Sequence, residues 1–315
     1  MVFSLSFLIK MYKLKYKLFI FTMSLFENKY KIIEKLGGGT GGIVFKALHI
    51  FKNELCAIKI EIKKKESLLC REAQIYRYLE NMGNTITSYY EYMYPKLRYV
   101  GSNDKYNYIV MDLLDKTLYD VKNLRGGFTI KTTLLISIQM IQLLKTIHTN
   151  HIIHRDIKPS NFMFGYKDGK YKLYLIDFGL CVYGKNGEIY NVKKNSGFIG
   201  NLNYASYMSI LKNKPSYRDD IESVIYIMIE MYVGSLPWEI KDLNKKKIEA
   251  LVLKKNPRVV FDFCKKNQLP YYMLNVVNYV LFSYRNNLNY DHIINLLRKQ
   301  LFLLKYQEDY QYDWL

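Results

Sequence analysis

Ile153-His154-Arg155-Asp156-Ile157-Lys158-Pro159-Ser160-Asn161, followed twenty-one residues after Asp156 by Asp177-Phe178-Gly179, decides how this chain is read. Asp156 can orient an attacking hydroxyl and accept its proton. Asn161, five residues on, can lend an amide oxygen to a divalent cation, and Asp177 can add a carboxylate to the same hard ion. Lys158 can steady a transferring phosphoryl group. A lone Asp-Phe-Gly arises by chance and a lone His-Arg-Asp serves as a polar turn, so the weight rests on their order and spacing.

Working outward toward the N-terminus, Leu36-Gly37-Gly38-Gly39-Thr40-Gly41-Gly42-Ile43-Val44 fits G-x-G-x-x-G-x-V through Gly37, Gly39, Gly42 and Val44. Glycines let backbone N–H groups approach phosphate oxygens closely. Taken alone the loop is weak evidence. Its place between two strand-like runs, rather than between a strand and a helix, argues against a Rossmann or Walker A loop. Ala57-Ile58-Lys59 ends the next strand-like run, where a lysine can neutralise α- and β-phosphates while pairing with a helix carboxylate. Glu72 is the candidate, because it shares a helical stripe with Leu68, Ile75 and Leu79 in the predicted helix 66–80. A charge on an apolar stripe needs a buried partner.

Strand-like runs at Lys31–Leu36, Ile43–Ile50, Cys56–Ile60 and Tyr106–Met111 give way after Leu114 to long helical patterns, Ile130–Thr149 and Asp220–Tyr232. The expectation is an α+β arrangement with a small β-rich lobe over about 24–113, a larger helical lobe over about 114–303 and a hinge near Asp112–Asp115. Residues 304–315 form a short C-terminal tail, and residues 1–23 read as an extension upstream of the true start. The apolar runs Val2–Ile9 and Leu18–Phe26 each fall short of the ~18–20 residues of a membrane span, so none is expected. Their order, apolar before basic, does not suit a signal peptide.

The chain has 315 residues, half of them apolar, and a formal charge of +19. That charge draws it toward anionic partners, although Lys-, Asn-, Ile- and Tyr-rich usage also follows from an AT-rich genome. Four scattered cysteines, Cys56, Cys70, Cys181 and Cys264, lack C-x-x-C spacing, so neither a zinc ribbon nor a dithiol site is suggested. Reduced thiols fit a cytoplasmic compartment, with the nucleus as a second.

With these residues in view, the chain from about Asn28 to Phe302 resembles a eukaryotic protein kinase, whose fold has two lobes. Gly200-Asn201-Leu202-Asn203-Tyr204-Ala205-Ser206 stands where kinases usually carry Ala-Pro-Glu and resembles the G-T-x-R-Y-A-S of the casein kinase 1 family. Arg218-Asp219-Asp220-Ile221-Glu222-Ser223 and Gly234-Ser235-Leu236-Pro237-Trp238 are similar to that family's R-D-D-L-E-S and G-S-L-P-W. The resemblance implies ATP and Mg²⁺ as cofactors and protein Ser and Thr hydroxyls, acidic or already phosphorylated upstream, as acceptors. Asp156, Lys158 and Asn161 would be catalytic, and Asn161 with Asp177 would hold the metal. Leu36, Gly37, Gly39, Gly42, Val44, Ala57, Lys59, Glu72 and the hinge residues Met111, Asp112 and Leu114 would line the nucleotide site. Lys158 matches Ser/Thr rather than tyrosine kinases.

The chain departs from the family at Asn201, which replaces a Thr, and at Asn203, which replaces an Arg of the family's anion site. Because only Lys305 to Leu315 follow the last predicted helix, the family's long regulatory tail is not expected here. Vaccinia-related kinases, which act on basic, nucleic-acid-associated proteins, are an alternative relative. A pseudokinase scaffold and an aminoglycoside-type phosphotransferase are readings from other classes. The intact Lys59, Glu72, Asp156, Asn161 and Asp177 disfavour the first, and Lys158 with Ala205-Ser206 the second.

Overall fold

Long β-branched and aromatic runs separated by tight turns build a five-stranded antiparallel sheet in the computed structural model. The structure describes residues 25–39, 41–83, 93–125, 127–166, 171–185, 188–190, 200–211, 214–238, 245–283 and 288–314. The N-terminal extension 1–23, the loop residues Lys193, Lys194 and Ser196, and the side chain of Lys247 lie outside what it describes. The strands are β1 (Tyr30–Gly39), β2 (Gly42–His49), β3 (Glu54–Ile62), β4 (Leu97–Ser102) and β5 (Tyr106–Met111). In the sheet order β1-β2-β3-β5-β4, β3 and β5 are interior strands, and β5 is buried on both faces, which is why its sequence runs apolar and aromatic apart from Asn107. Phe26, Phe45, Ile58, Tyr106, Tyr108 and Val110 form the core on this sheet, each large side chain contributing ~1.5–3 kcal/mol by burial.

The helix expected over 66–80 runs from Leu68 to Gly83 (α1). Its buried face is turned by one residue from the expected stripe: Leu69, Ala73, Tyr76 and Leu79 are buried, whereas Leu68 and Ile75 are half-exposed. Glu72 belongs to both faces and stays inside. Among the described residues, those up to Ala73 with Lys96–Leu113 form one compact unit, and Gln74–Pro95 with those from Leu114 onward form a second.

The second unit is helical. It contains α2 (Leu118–Arg125), α3 (Ile130–Thr149), α4 (Tyr207–Ile210), α5 (Tyr217–Val233), α6 (Lys245–Lys254), α7 (Pro257–Lys266), α8 (Tyr271–Phe282) and α9 (Tyr290–Leu303). α3 and α5 cross its centre and are buried nearly all round. Among the described residues α3 alone has the length and composition of a membrane span, and most of it is enclosed in this unit, as a core helix would be. α5 starts three residues before the expected Asp220, because Ser216 and Asp219 cap each other's backbone reciprocally. It stops at Gly234, whose φ of 90° only glycine adopts readily. Two short sheets carry the loops of the site: β6 (Ile152–Ile153) pairs with β9 (Val182–Lys185), itself paired with β10 (Glu188–Tyr190), and β7 (Phe162–Phe164) pairs with β8 (Leu173–Leu175). A β-rich N-terminal part is thus followed by a helical C-terminal part.

Candidate active site

The loop carrying His154 to Asn161 enters from β6, two buried isoleucines that pin its start in the core. Arg155 sits at φ 70°, a conformation that costs a non-glycine residue of order 1 kcal/mol or more and needs outside support. Asp220, on the first turn of α5 and 2% exposed, supplies it. One carboxylate oxygen accepts from His154 N at 2.7 Å and the other from Arg155 N at 2.9 Å, while His148 Nε2 lies 3.0 Å away. His154 Nδ1 accepts from Asp156 N, so its Nε2 carries the proton and donates to Ile176 O at 3.1 Å. The ring thereby ties the loop to the strand leading to Asp177.

Asp156 is the centre of this arrangement. Its Oδ2 accepts from Lys158 Nζ at 2.6 Å and from Asn161 Nδ2 at 3.2 Å, and Asn161 Nδ2 also donates to Asp156 O at 2.8 Å. Its Oδ1 is buried with no hydrogen-bond partner. An unpaired buried carboxylate oxygen forfeits ~1–3 kcal/mol, a cost that proteins tolerate where a ligand supplies the missing donor. Because the Asn161 amide nitrogen is committed to Asp156, its oxygen is turned the other way. Ile176 N donates to Asn161 O at 2.9 Å, bringing the backbone of Asp177 beside Asn161. Asp177 is itself left-handed at φ 67°, ψ 67°. Phe178 then turns inward, fully buried, with ring contacts to Tyr76 and His154 at 5.1 and 5.3 Å.

A carboxylate and an amide oxygen are the donors Mg²⁺ takes when substrate phosphates and water complete its octahedron. Among the described residues no three His, Cys, Asp or Glu side chains converge, so a dedicated all-protein cage is not what this pair would serve. Asn161 and Asp177 fit the role that the resemblance implies.

In the first unit, Lys59 Nζ lies 2.6 Å from Glu72 Oε2, with side chains 9% and 2% exposed. β2–β3 pairing sets Val44 opposite Lys59, and β3–β5 pairing sets Ala57 opposite Met111. Gly39 and Gly42 face each other where β1 turns into β2. Gly42 is at φ 125°, and a Cβ there would run into the Ile60 carbonyl oxygen. Leu36 is 45% exposed, and Gly37 and Gly39 have open space where a side chain would stand. At the hinge, the Asp112 carboxylate is engaged by Arg98 Nε at 2.7 Å, and Asp112 N donates to Lys96 O. Only its carbonyl is left to serve a nucleotide, so the Asp112 side chain is structural. Leu114 stands two residues further on.

The segment 200–206 is anchored by residues whose roles the sequence does not show. Lys255, fully buried just past α6, donates to Asn203 O at 2.9 Å and to Ala205 O at 2.6 Å, between the Tyr226 and Trp238 rings. Burial pushes its ammonium well below the ordinary lysine range, and Glu222 pulls the other way. Trp238 Nε1 also donates to Asn203 O, at 2.8 Å. Ser206 Oγ donates to Asp219, and Tyr207 N to Glu222, which pairs with Arg218 at 3.1 Å in complete burial. Asn201 closes its own turn, Oδ1 accepting from Asn203 N. The acidic start of an otherwise apolar helix is the one sequence signal that marks Asp219, Asp220 and Glu222 as buried anchors. Lys255 has none, since Lys254-Lys255-Asn256 reads as a solvated turn.

Residues 30–292 match the family model described as the protein kinase domain. A probable serine/threonine-protein kinase of Dictyostelium discoideum is 33% identical over 301 residues, covering 92% of this chain and 57% of that one. The chain thus spans little more than half the length of that curated relative.

Proposed function

The chain belongs to the protein kinase family, and from that premise we propose that it transfers the γ-phosphate of ATP to Ser and Thr hydroxyls of proteins, in the manner of the casein kinase 1 group. The observation that carries this reading is the unpaired, buried Asp156 Oδ1 beside an Oδ2 already held by Lys158 and Asn161. An incoming hydroxyl donates to Oδ1 and is oriented for in-line attack on phosphorus. As the new P–O bond forms and the bond to the ADP oxygen breaks, the hydroxyl proton passes to Asp156. Lys158, at the rim of the carboxylate, neutralises charge on the transferring group. Asn161 and Asp177 would hold Mg²⁺, which when bound would supply neutralisation of phosphate charge. Lys59, oriented by Glu72, does the same for the α- and β-phosphates. This is catalysis by positioning and preorganised charge.

The casein kinase 1 assignment within the family is supported by how the three resembling motifs are used. Trp238 holds Asn203, Asp219 holds Ser206 and Glu222 holds Tyr207, so the motifs form one connected anchor for the segment after Gly200. Acidic protein substrates, and a cytoplasmic or nuclear location with four reduced thiols, go with this reading. The test is transfer of labelled phosphate from ATP to casein and, in parallel, to a basic histone, with Asp156→Asn as control. Transfer to casein that the Asp156→Asn variant lacks is the expected result. Preference for the histone points to the vaccinia-related alternative, and no transfer by the wild type removes the enzymatic reading.

A further inference from the structure

The segment after α9 is more than a tail. From Lys305 it turns back over the helical unit, through left-handed residues at Lys305 (φ 58°) and Tyr310 (φ 53°), and is fastened at several points. Glu308 pairs with Arg298 of α9 at 2.7 Å, and Asp309 with Lys131 of α3 at 2.8 Å. Asp313 caps the start of α3, accepting from Thr129 N at 2.9 Å and Thr129 Oγ1 at 2.7 Å, where the helix dipole favours a carboxylate. Between these ties Tyr312 is 4% exposed and stacks on Trp314 at 4.8 Å, and both rings pack on Phe164 of β7, at 5.5 and 5.2 Å.

These contacts converge on the hairpin that carries the metal-ligand pair. Phe164 lies three residues after Asn161 on β7. On the other strand, Gln139 of α3 accepts from Leu173 N at 2.9 Å and donates to Tyr171 O at 3.2 Å and to the Tyr312 hydroxyl. The Tyr312 hydroxyl donates in turn to Tyr171 O at 3.0 Å. Leu173 begins β8, which ends two residues before Asp177. One strap thus braces both strands, one leading out of Asn161 and the other into Asp177.

We propose that residues 305–314 are a positioning element that sets the spacing of Asn161 and Asp177 for a divalent cation bound with nucleotide. This rests on the kinase reading for its purpose and on geometry for its mechanism. Side chains that touch metal ligands directly change affinity by ~10-fold or more when removed; a brace one layer further out acts through the hairpin and gives less.

The experiment uses the full chain with Tyr312→Phe, which keeps the stack and removes the hydroxyl, and Trp314→Ala, which removes the ring from Phe164. Two quantities are read: amide hydrogen exchange of β7 and β8 without metal or nucleotide, and the Mg²⁺ concentration for half-maximal thermal stabilisation by a non-hydrolysable ATP analogue. Faster exchange in the hairpin and a half-saturating Mg²⁺ concentration raised about threefold in both variants are expected. An unchanged Mg²⁺ requirement, even with a lower Tm, overturns the proposal and leaves the strap a purely stabilising feature. A wild type that Mg²⁺ and nucleotide do not stabilise overturns this proposal together with the kinase reading. One that they stabilise but that phosphorylates nothing overturns phosphate transfer alone.

Discussion

Charge is placed in this site where it has little freedom to move. Lys59 is locked on Glu72 at 2.6 Å inside the protein, so its ammonium is oriented before any phosphate arrives. On the proposed reading, Lys59→Met is therefore expected to leave a folded protein whose turnover falls ~10²-fold or more, and Asp177→Ala to do the same, since each would remove preorganised charge stabilisation of the transferring phosphate. Single-turnover phosphate transfer, with circular dichroism to show the fold, checks both; near-normal turnover would contradict the assignment. The Lys59–Glu72 pairing was legible in the sequence, because Lys59 follows the glycine loop at a fixed interval and Glu72 shares an apolar helical stripe. Asp220 and Lys255 were not legible in the same way, since their roles exist only where α5 and the end of α6 meet loops distant in sequence. Lys255→Met keeps the side-chain volume while leaving the carbonyls of Asn203 and Ala205 short of a donor. A loss of order 1 kcal/mol in the geometry of that segment corresponds to a KM for protein substrate raised about fivefold, with KM for ATP unchanged. Equal rises in both constants would show that Lys255 supports the unit as a whole.

At the scale of elements, strands and helices whose pattern is local were foreseeable and those that need a tertiary partner were not. β5 and α3 run where their apolar periods place them. The buried face of α1 is displaced by one residue because Tyr76 packs on Phe178 of the helical unit, which no helical period in 66–80 contains. β4 carries exposed Tyr99 and alternates weakly, so it lacked a strand signal of its own. In the sequence the C-terminal strap reads as no more than a short tail, since its anchors, Arg298, Lys131 and Thr129, are not neighbours in sequence. Its ion pairs make a pH prediction. Burial raises the Glu308 carboxyl, but the hydrogen bonds from Arg298 and Tyr310 outweigh it and hold the group below its ordinary range. Asp309 likewise ends lower, its small burial opposed by Lys131 and Gln311 N. Folded values depressed below unfolded ones mean a contribution fully present above the unfolded carboxylate range and lost as pH falls through the folded values. The strap is expected to loosen on acidification below about pH 4, read as a change in Trp314 fluorescence against a Trp314→Phe blank. A signal unchanged down to the pH at which the fold itself is lost would show that the aromatic stack holds the strap without its ion pairs.

For the molecule as a whole, a net charge of +19 acts beside the directional contacts of the site, and the two make different demands on a substrate. A smooth positive field gathers acidic sequences from a distance and is screened within ~10 Å at 0.1 M salt. A guanidinium fork instead reads one phosphate at one position and resists screening. Asn203 brings no fork, and its carbonyl is already taken by Trp238 and Lys255, so the backbone there is fixed while the side chain lacks charge. The expectation is a kinase that accepts acidic peptides through its field and discriminates weakly for a phosphoserine placed upstream of the target. KM for an acidic peptide should rise steeply between about 0.05 and 0.5 M salt, with kcat little changed. Asn203→Arg, seated on that fixed backbone, should raise kcat/KM for a primed peptide over its unprimed twin by ~10-fold, about the worth of one charge-assisted hydrogen bond. That gain should also survive salt better than the general preference for acidic peptides does. Steady-state kinetics on the peptide pair across a salt series separate the two contributions. If the wild type already prefers the primed peptide a hundredfold (~2.7 kcal/mol), a phosphate is being read by other basic residues. If Asn203→Arg leaves the ratio unchanged, position 203 does not face the upstream residue of the substrate.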